Sequence, residues 1–125
     1  MSGVFTEEQE ELRRYARQWL DENAPLEAVR KIAETPEGFD AAQWSELGSL
    51  GWLGIAVGEA YGGSGFGFME LAVLAEEMGR TLYPSPFLST VVLGTWLVER
   101  LGTDDQKAEI LPAVVRGDHR LAVAA

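Results

Sequence analysis

A glycine-rich segment at residues 54–67 most constrains what this chain can fold into, because it interrupts a sequence otherwise patterned for helices. Six of its fourteen residues are glycine. Glycine costs about 1 kcal/mol relative to alanine inside a helix, and it is favoured where φ is positive or where backbones approach closely. The segment therefore predicts a shaped connection between two helices. Within it, we expect the Tyr61 ring to pack inward and the Glu59 carboxylate to accept hydrogen bonds from loop amides.

This segment imitates two phosphate-binding motifs without matching either of them. A dinucleotide-binding fingerprint needs G-x-G-x-x-G directly after a strand, and a P-loop needs Gly-Lys-Ser/Thr. Here Gly63, Gly65 and Gly67 alternate with other residues, no clear strand precedes them, and no lysine follows. The pattern favours a structural connection over a phosphate site.

Composition and charge narrow the classes of function. The chain has 125 residues, of which 46% are hydrophobic and 24% charged, as in one ordinary globular domain. Its net charge of −10 opposes binding to nucleic acid or to an anionic membrane. With no cysteine and a single histidine, His119, it offers neither thiol chemistry nor a histidine-based zinc site or triad. No run approaches the roughly 20 apolar residues of a membrane span, and no signal-peptide pattern is present, so we expect a cytoplasmic protein.

Helical spacing and capping signals predict an all-α fold, an orthogonal bundle of about five to six helices. Capping boxes begin at Thr6 and Thr103, and Asp40 gives another helix start. The predicted helices span Thr6–Asn23, Leu26–Ala33, Asp40 to about Leu50, Phe68 to about Gly79, Phe87–Leu101, and Thr103 to about Val115. The helix at 87–101 has little polar face, which indicates burial in a large core or between subunits.

Individual side chains carry further expectations. We expect most of the glutamates to occupy helix-start or solvent-facing positions, including the run at residues 7–11, and His119 to be exposed. The tryptophans are expected in the core rather than as stacking platforms for bases: Trp19, Trp44, Trp52 and Trp96. Nothing in the sequence singles out a general base or a metal site.

The apolar run Leu121–Ala125 is typical of a buried strand. A strand needs partners, and the sequence shows no other clear strand. We therefore assign residues 1–120 to a helical domain and residues 121–125 to the start of a β-domain strand, and we expect the chain to continue into a sheet-containing domain.

Three local patterns follow one another along the chain: Leu47–Ile55 leading into Glu59–Gly65, then Glu76–Arg80, and then Gly102–Lys107 closed by Leu111-Pro112. Together they resemble the N-terminal helical domain of the acyl-CoA dehydrogenases. The resemblance covers nearly the whole chain, from about Phe5 to Ala125. One position departs from the family pattern, since Gly58 stands where the family usually has proline.

The resemblance implies a three-part protein: this helical domain, a middle β-domain and a C-terminal helical bundle. It implies α,β-dehydrogenation of an acyl-CoA thioester, in which a glutamate takes the α-proton and the β-hydrogen leaves as hydride to the flavin of FAD. Both that glutamate and most flavin contacts belong to the later parts, so this chain is expected to hold no catalytic residue and to be inactive alone. The implied partners are electron-transfer flavoprotein or a similar acceptor, and further copies or different subunits in a homo- or hetero-oligomer.

Family similarity registered on Gly94 and Gly102 assigns the acyl pocket to Ser85, Ser89 and Leu93. These positions lie at i, i+4 and i+8, so they share one face if the helix begins early enough, which Pro84 and Pro86 oppose. Small serines would leave room for a wide acyl group, and Trp96 would shorten the cavity. Ala124 and Ala125 are expected to touch the flavin.

Two rival functions stay open beside the enzyme domain. One is a partner subunit that keeps the fold without a working flavin site. Residues 84–88 resemble a branch of the family from actinobacterial lipid and sterol catabolism, where two different subunits often assemble. The other rival is a free-standing helical interaction module.

Overall fold

The computed structural model describes residues 5–124 and is helical, with no strand in that range. Six α-helices follow one another along the chain: α1 (Glu7–Asn23), α2 (Leu26–Ala33), α3 (Ala41–Ser49), α4 (Phe68–Arg80), α5 (Thr95–Leu101) and α6 (Asp104–Arg116). A 3-10 turn, Glu59–Tyr61, lies within the glycine-rich segment, and a π-helical segment, Leu88–Gly94, runs directly into α5. The all-α prediction is confirmed, and the helix bounds agree closely with those expected.

Capping explains why the helix starts were predictable. At α1 the Thr6 hydroxyl accepts from the Gln9 amide at 3.2 Å, and the Gln9 side chain accepts from the Thr6 amide at 2.9 Å. Thr103 and Gln106 repeat this arrangement at α6. Each capping box satisfies amides that have no partner inside the helix, so the first turn is fixed by residues three apart in sequence.

The chain divides into two compact units. Unit 1 combines the residues up to Phe39 with Gly67–Pro84, and in it α1 packs along α4. Trp19 meets Tyr83 edge to face, with ring centroids 5.8 Å apart. Tyr15 lies four residues before the buried Trp19, a spacing that favours the buried face of α1, but it is 62% exposed.

Unit 2 combines Asp40–Phe66 with the chain from Ser85 onward. Its α3 and α6 approach closely at Gly48, where a Cβ would come within 2.8 Å of the Arg116 carbonyl oxygen. Buried side chains of this unit include Trp44, Leu47, Leu53, Val57, Leu111 and Val114.

The glycine-rich segment is the shaped connection that the sequence predicted, but Glu59 and Tyr61 differ from their expected roles. Gly63 packs against the preceding chain so tightly that a Cβ would lie 2.1 Å from the Val57 carbonyl oxygen. The loop amides donate to backbone carbonyls: Ser64 to Gly54, Gly65 to Val57 and Phe66 to Ile55. Because those amides are already satisfied by the backbone, the prediction that the Glu59 carboxylate receives them is wrong. Glu59 is exposed, and Tyr61 is half-buried rather than turned fully inward.

The helix predicted at 87–101 forms as a π-helical segment followed by α5, not as one continuous α-helix. Its first half is π-helical, because the Thr95 amide donates to the Thr90 carbonyl five residues back. The Thr95 hydroxyl donates to the Val91 carbonyl, the group that the Thr95 amide would use in an α-helix. A side-chain hydroxyl therefore displaces the backbone amide and holds one turn in the wider form.

Candidate functional site

The π-helical segment of unit 2 carries two of the three residues predicted for the acyl pocket. Ser89 and Leu93 lie within it, whereas Ser85 lies in the turn before it. The Ser89 hydroxyl donates to the Pro86 carbonyl at 3.2 Å, and the Ser85 hydroxyl accepts from the Phe87 amide at 3.3 Å. The predicted i, i+4, i+8 face of an α-helix is therefore not formed, and both serine hydroxyls are bonded to the backbone.

Large apolar side chains are exposed along this segment and the start of α5, where the sequence predicted burial. Leu88 is 62% exposed, Leu93 is 46% exposed and Trp96 is 53% exposed. Arg100 stacks over the Trp96 ring, with its guanidinium carbon 5.1 Å from the ring centroid. We call Leu88, Leu93 and Trp96 the apolar row. Because burying apolar surface away from water is favourable, the apolar row is suited to contact with an apolar ligand or another protein surface.

The residues after α6 return to the π-helical segment through one side chain, Thr90. Its hydroxyl accepts from the Leu121 amide at 3.0 Å and donates to the Leu121 carbonyl at 3.1 Å. Thr90 is fully buried. Leu121 also packs on Gly94, where a Cβ would lie 2.6 Å from the Leu121 Cβ. The start of residues 121–124 is thus fixed against the segment that carries Ser89 and Leu93.

Ala124 follows this anchor as an exposed residue, and Ala125 lies outside the described residues. Within residues 5–124, the backbone of Ala122, Val123 and Ala124 makes no hydrogen bond to other backbone. Small side chains, and backbone groups that have no backbone partner within that range, are compatible with the edge of a planar flavin. The strand expected from Leu121 to Ala125 remains a prediction.

Unit 1 holds the strongest electrostatic feature among the described residues, a buried carboxylate that the sequence interpretation missed. Glu77 in α4 has 1% of its side chain exposed, so it is an exception to the expectation that most glutamates sit at helix starts or in solvent. It accepts from Arg13 at 2.8 Å, from Arg17 at 3.0 Å and from Arg80 at 2.9 Å.

The three guanidiniums outweigh the desolvation of Glu77. Burial alone would raise the pKa of this carboxyl, but the hydrogen bonds from Arg17, Arg13 and Arg80 lower it to about 2. A carboxylate so strongly held in its ionised form is a poor general base. We therefore read Glu77 as a clasp between α1 and α4. The sequence did contain a signal, because Glu77 falls three and four residues after the buried Leu74 and Val73.

Other candidate sites give little chemistry. His119 is exposed, as predicted. Among residues 5–124, no three His, Cys, Asp or Glu side chains are placed to hold a metal ion. No helix in that range is both long and apolar enough to cross a bilayer. Trp19, Trp44 and Trp52 are buried as expected, but Trp96 is not.

A family model describing the acyl-CoA dehydrogenase N-terminal domain matches residues 6–118. The chain belongs to the acyl-CoA dehydrogenases. Acyl-CoA dehydrogenase FadE12 of Mycobacterium tuberculosis is 35% identical over 129 aligned residues, covering 98% of this chain and 31% of the relative. The chain therefore spans less than a third of the length of that relative.

Two solved assemblies share the fold with substantial identity. A variant of the Tcur3481–Tcur3483 steroid ACAD is 38% identical with a TM-score of 0.85, covering 93% of this chain and 32% of its own. The ChsE4–ChsE5 complex from Mycobacterium tuberculosis is 29% identical with a TM-score of 0.89, covering 99% of this chain and 34% of its own. The structure of acyl-CoA dehydrogenase from Bacillus anthracis complexed with FAD shares the same fold, at 22% identity and a TM-score of 0.83, covering 97% of this chain and 21% of its own.

Proposed function

We propose that this chain is the N-terminal domain of an FAD-dependent enzyme that dehydrogenates an acyl-CoA thioester at its α and β carbons, and that it forms one wall of the acyl pocket. The apolar row carries this proposal. Three large apolar side chains are exposed on a segment whose backbone is fixed by buried threonines. A rigid apolar surface on a member of this family is suited to line the path of an acyl chain.

Within this wall, we assign Ser85, Ser89 and Leu93 to substrate contact. Both serine hydroxyls are hydrogen-bonded to nearby backbone groups. The two side chains would therefore act on the substrate through their small size and not through hydrogen bonds. Leu93 supplies apolar contact beside them. The wall would therefore shape the pocket by leaving volume for a wide acyl group, such as the steroid class named for one structural relative.

This chain would contact the cofactor only at one edge of the flavin. FAD, when bound, supplies the acceptor for the hydride that leaves the β carbon. Ala124 and Ala125 would approach it through small side chains and backbone groups, and Thr90 would hold the start of that segment in place. None of the described residues is assigned as the catalytic base, which we place in a later part of the protein, and the chain alone is expected to be inactive.

The reaction class is tested by the absorption spectrum of the whole protein that contains this chain. Bound flavin should show its oxidised absorption band, and an acyl-CoA thioester should bleach it without an added reductant. Flavin that stays oxidised with short, long, branched and steroid thioesters would contradict the proposed reaction.

The pocket assignment is tested by Ser89→Trp, compared with Ser49→Trp at an exposed position of α3. An indole at residue 89 should fill the space left by serine and shift the preference toward shorter acyl groups. A lost methylene contact changes kcat/KM by about 10-fold or more. An unchanged chain-length profile in a folded, flavin-loaded Ser89→Trp protein would refute the assignment, and Ser49→Trp should leave the profile unchanged in either case.

A second candidate is a non-catalytic partner subunit in a heteromeric acyl-CoA dehydrogenase. It is favoured by the two relatives above, whose names each join two different subunits. In either role we expect a homo- or hetero-oligomer that passes electrons to electron-transfer flavoprotein or a similar acceptor. A whole protein that binds no flavin itself but restores flavin binding and activity when mixed with a second subunit would favour this candidate.

A further inference from the structure

The contact between Thr90 and Leu121 has the geometry of a clamp rather than of a passing contact. One hydroxyl accepts from the amide and donates to the carbonyl of the same residue, at 3.0 and 3.1 Å. Thr90 is fully buried, whereas the residues after Leu121 are exposed and make no backbone–backbone hydrogen bond within the described range. The path of residues 122–124 therefore depends on how Leu121 is held.

Gly94 completes the clamp from the same π-helical segment. A Cβ at this position would lie 2.6 Å from the Leu121 Cβ and 2.9 Å from the Ser89 carbonyl oxygen. Only glycine leaves room for Leu121 to rest directly on the segment. Thr90 thus fixes the backbone of Leu121, and Gly94 seats its side chain.

The π-helical register links this clamp to the proposed pocket wall. The Thr95 amide bonds to the Thr90 carbonyl, while the Thr95 hydroxyl takes the carbonyl of Val91. The clamping residue consequently lies between Ser89 and Leu93 in a turn whose form is set by Thr95. Single-turn π-helical segments are frequent at functional sites.

We propose that Thr90 is a positioning residue that sets the distance between the acyl-pocket wall and the chain leading to the flavin. This inference rests on the proposed function, because it assigns the residues after Leu121 to the flavin edge. Thr90 touches neither substrate nor flavin in this scheme and acts only through Leu121.

The test compares Thr90→Val with Thr90→Ser in the whole protein. Valine keeps the shape of threonine but removes both hydrogen bonds, whereas serine keeps the hydroxyl. Two readouts are needed: hydrogen exchange of the Leu121 amide, and the equilibrium affinity for FAD measured by titrating the flavin-free protein. Gly94→Ala is the second variant, because its methyl group displaces Leu121 while leaving the Thr90 hydroxyl intact.

In Thr90→Val we expect Leu121 exchange to accelerate by about 10- to 100-fold and the Kd for FAD to rise by a similar factor, since two hydrogen bonds are lost and each contributes about a factor of 3 to 10. Thr90→Ser should stay within about 3-fold of wild type in both readouts. Gly94→Ala should weaken FAD binding in the same direction.

Faster Leu121 exchange in Thr90→Val with an unchanged FAD affinity would overturn the inference, because the clamp would then position nothing at the flavin. Unchanged Leu121 exchange would overturn it by removing the clamp itself. If Thr90→Val fails to fold, Gly94→Ala decides by the same two readouts. Failure of the proposed function is distinguishable, because the wild-type protein would then bind no FAD at all while Leu121 exchange still responded to Thr90→Val.

Discussion

Replacing Glu77 by glutamine isolates the electrostatic clasp of unit 1. The ordinary glutamate pKa of 4.5 is lowered to about 2 by Arg17, Arg13 and Arg80. At about 1.4 kcal/mol for each unit of pKa, this difference corresponds to about 3 kcal/mol of folding free energy from ionised Glu77. Because the pKa is lowered on folding, this stabilisation is fully present above pH 4.5 and is lost as the pH falls toward 2.

Two measurements on the full chain check this magnitude. Urea unfolding at pH 7, followed by circular dichroism, should show that Glu77→Gln loses about 3 kcal/mol, since three guanidiniums then surround a neutral amide. The same titration at pH 3 should bring wild type and variant closer together, because wild-type Glu77 has by then lost part of its advantage. The remaining acidic residues titrate in both proteins and cancel in the comparison.

Glu76→Gln is the matched control one residue earlier. Glu76 is 65% exposed and contacts only Arg13 of the three arginines. An exposed ion pair contributes about 0–1 kcal/mol, so this variant should stay within that range at pH 7. If Glu77→Gln also lost less than about 1 kcal/mol, or if its deficit at pH 3 equalled its deficit at pH 7, the assignment of the clasp would be refuted.

Two further predictions concern unit 2, and thermal or urea unfolding of the full chain measures both. Gly58→Pro should raise the free energy of unfolding by about 0.4–1 kcal/mol. Gly58 already has a φ of −60°, there is open space around its Cβ position, and its amide donates no backbone hydrogen bond among the described residues. Gly62→Pro, at φ +89°, should destabilise instead, and a stabilising result there would contradict the argument. Leu111→Ala should cost about 2–5 kcal/mol, since Leu111 is fully buried. Leu101→Ala at a 79% exposed site should change stability little, and equal losses at the two leucines would contradict the packing described.

Local sequence rules predicted those features that depend on residues three or four positions apart. The helix beginning after Thr6 is set by Thr6 and Gln9, and the one beginning after Thr103 by Thr103 and Gln106, so both could be found without any tertiary information. The glycine-rich sequence predicted a close backbone approach around Gly63. It did not show that the approach is to the Val57 carbonyl. The family assignment rested on these short patterns together, and the match over residues 6–118 confirms it.

The clasp could not be predicted in the same way, because its partners lie about sixty residues apart on α1 and α4. Glu77 lies three and four residues after the buried Leu74 and Val73, but composition rules favour exposure for a glutamate, and only the approach of Arg13 and Arg17 reverses that preference. Tyr15 shows the opposite failure. Its spacing fits the buried face of α1, yet no neighbouring element covers it, and it is 62% exposed.

The π-helical form of residues 88–94 could not be predicted from the sequence for a third reason, which bears on the proposed pocket. The hydroxyl groups within it and beside it bond to the backbone: Ser85 to Phe87, Ser89 to Pro86, Thr90 to Leu121 and Thr95 to Val91. No simple periodicity describes a turn whose register is chosen by such side-chain competition. Because these hydroxyls are already committed, the proposed wall has few free polar groups with which to recognise a substrate. It would discriminate among acyl groups by volume and apolar contact, at about 1–3 kcal/mol for each methylene gained or lost. Ser89→Trp tests that mode of selection directly, because it changes the available volume while leaving the clamp on Leu121 in place.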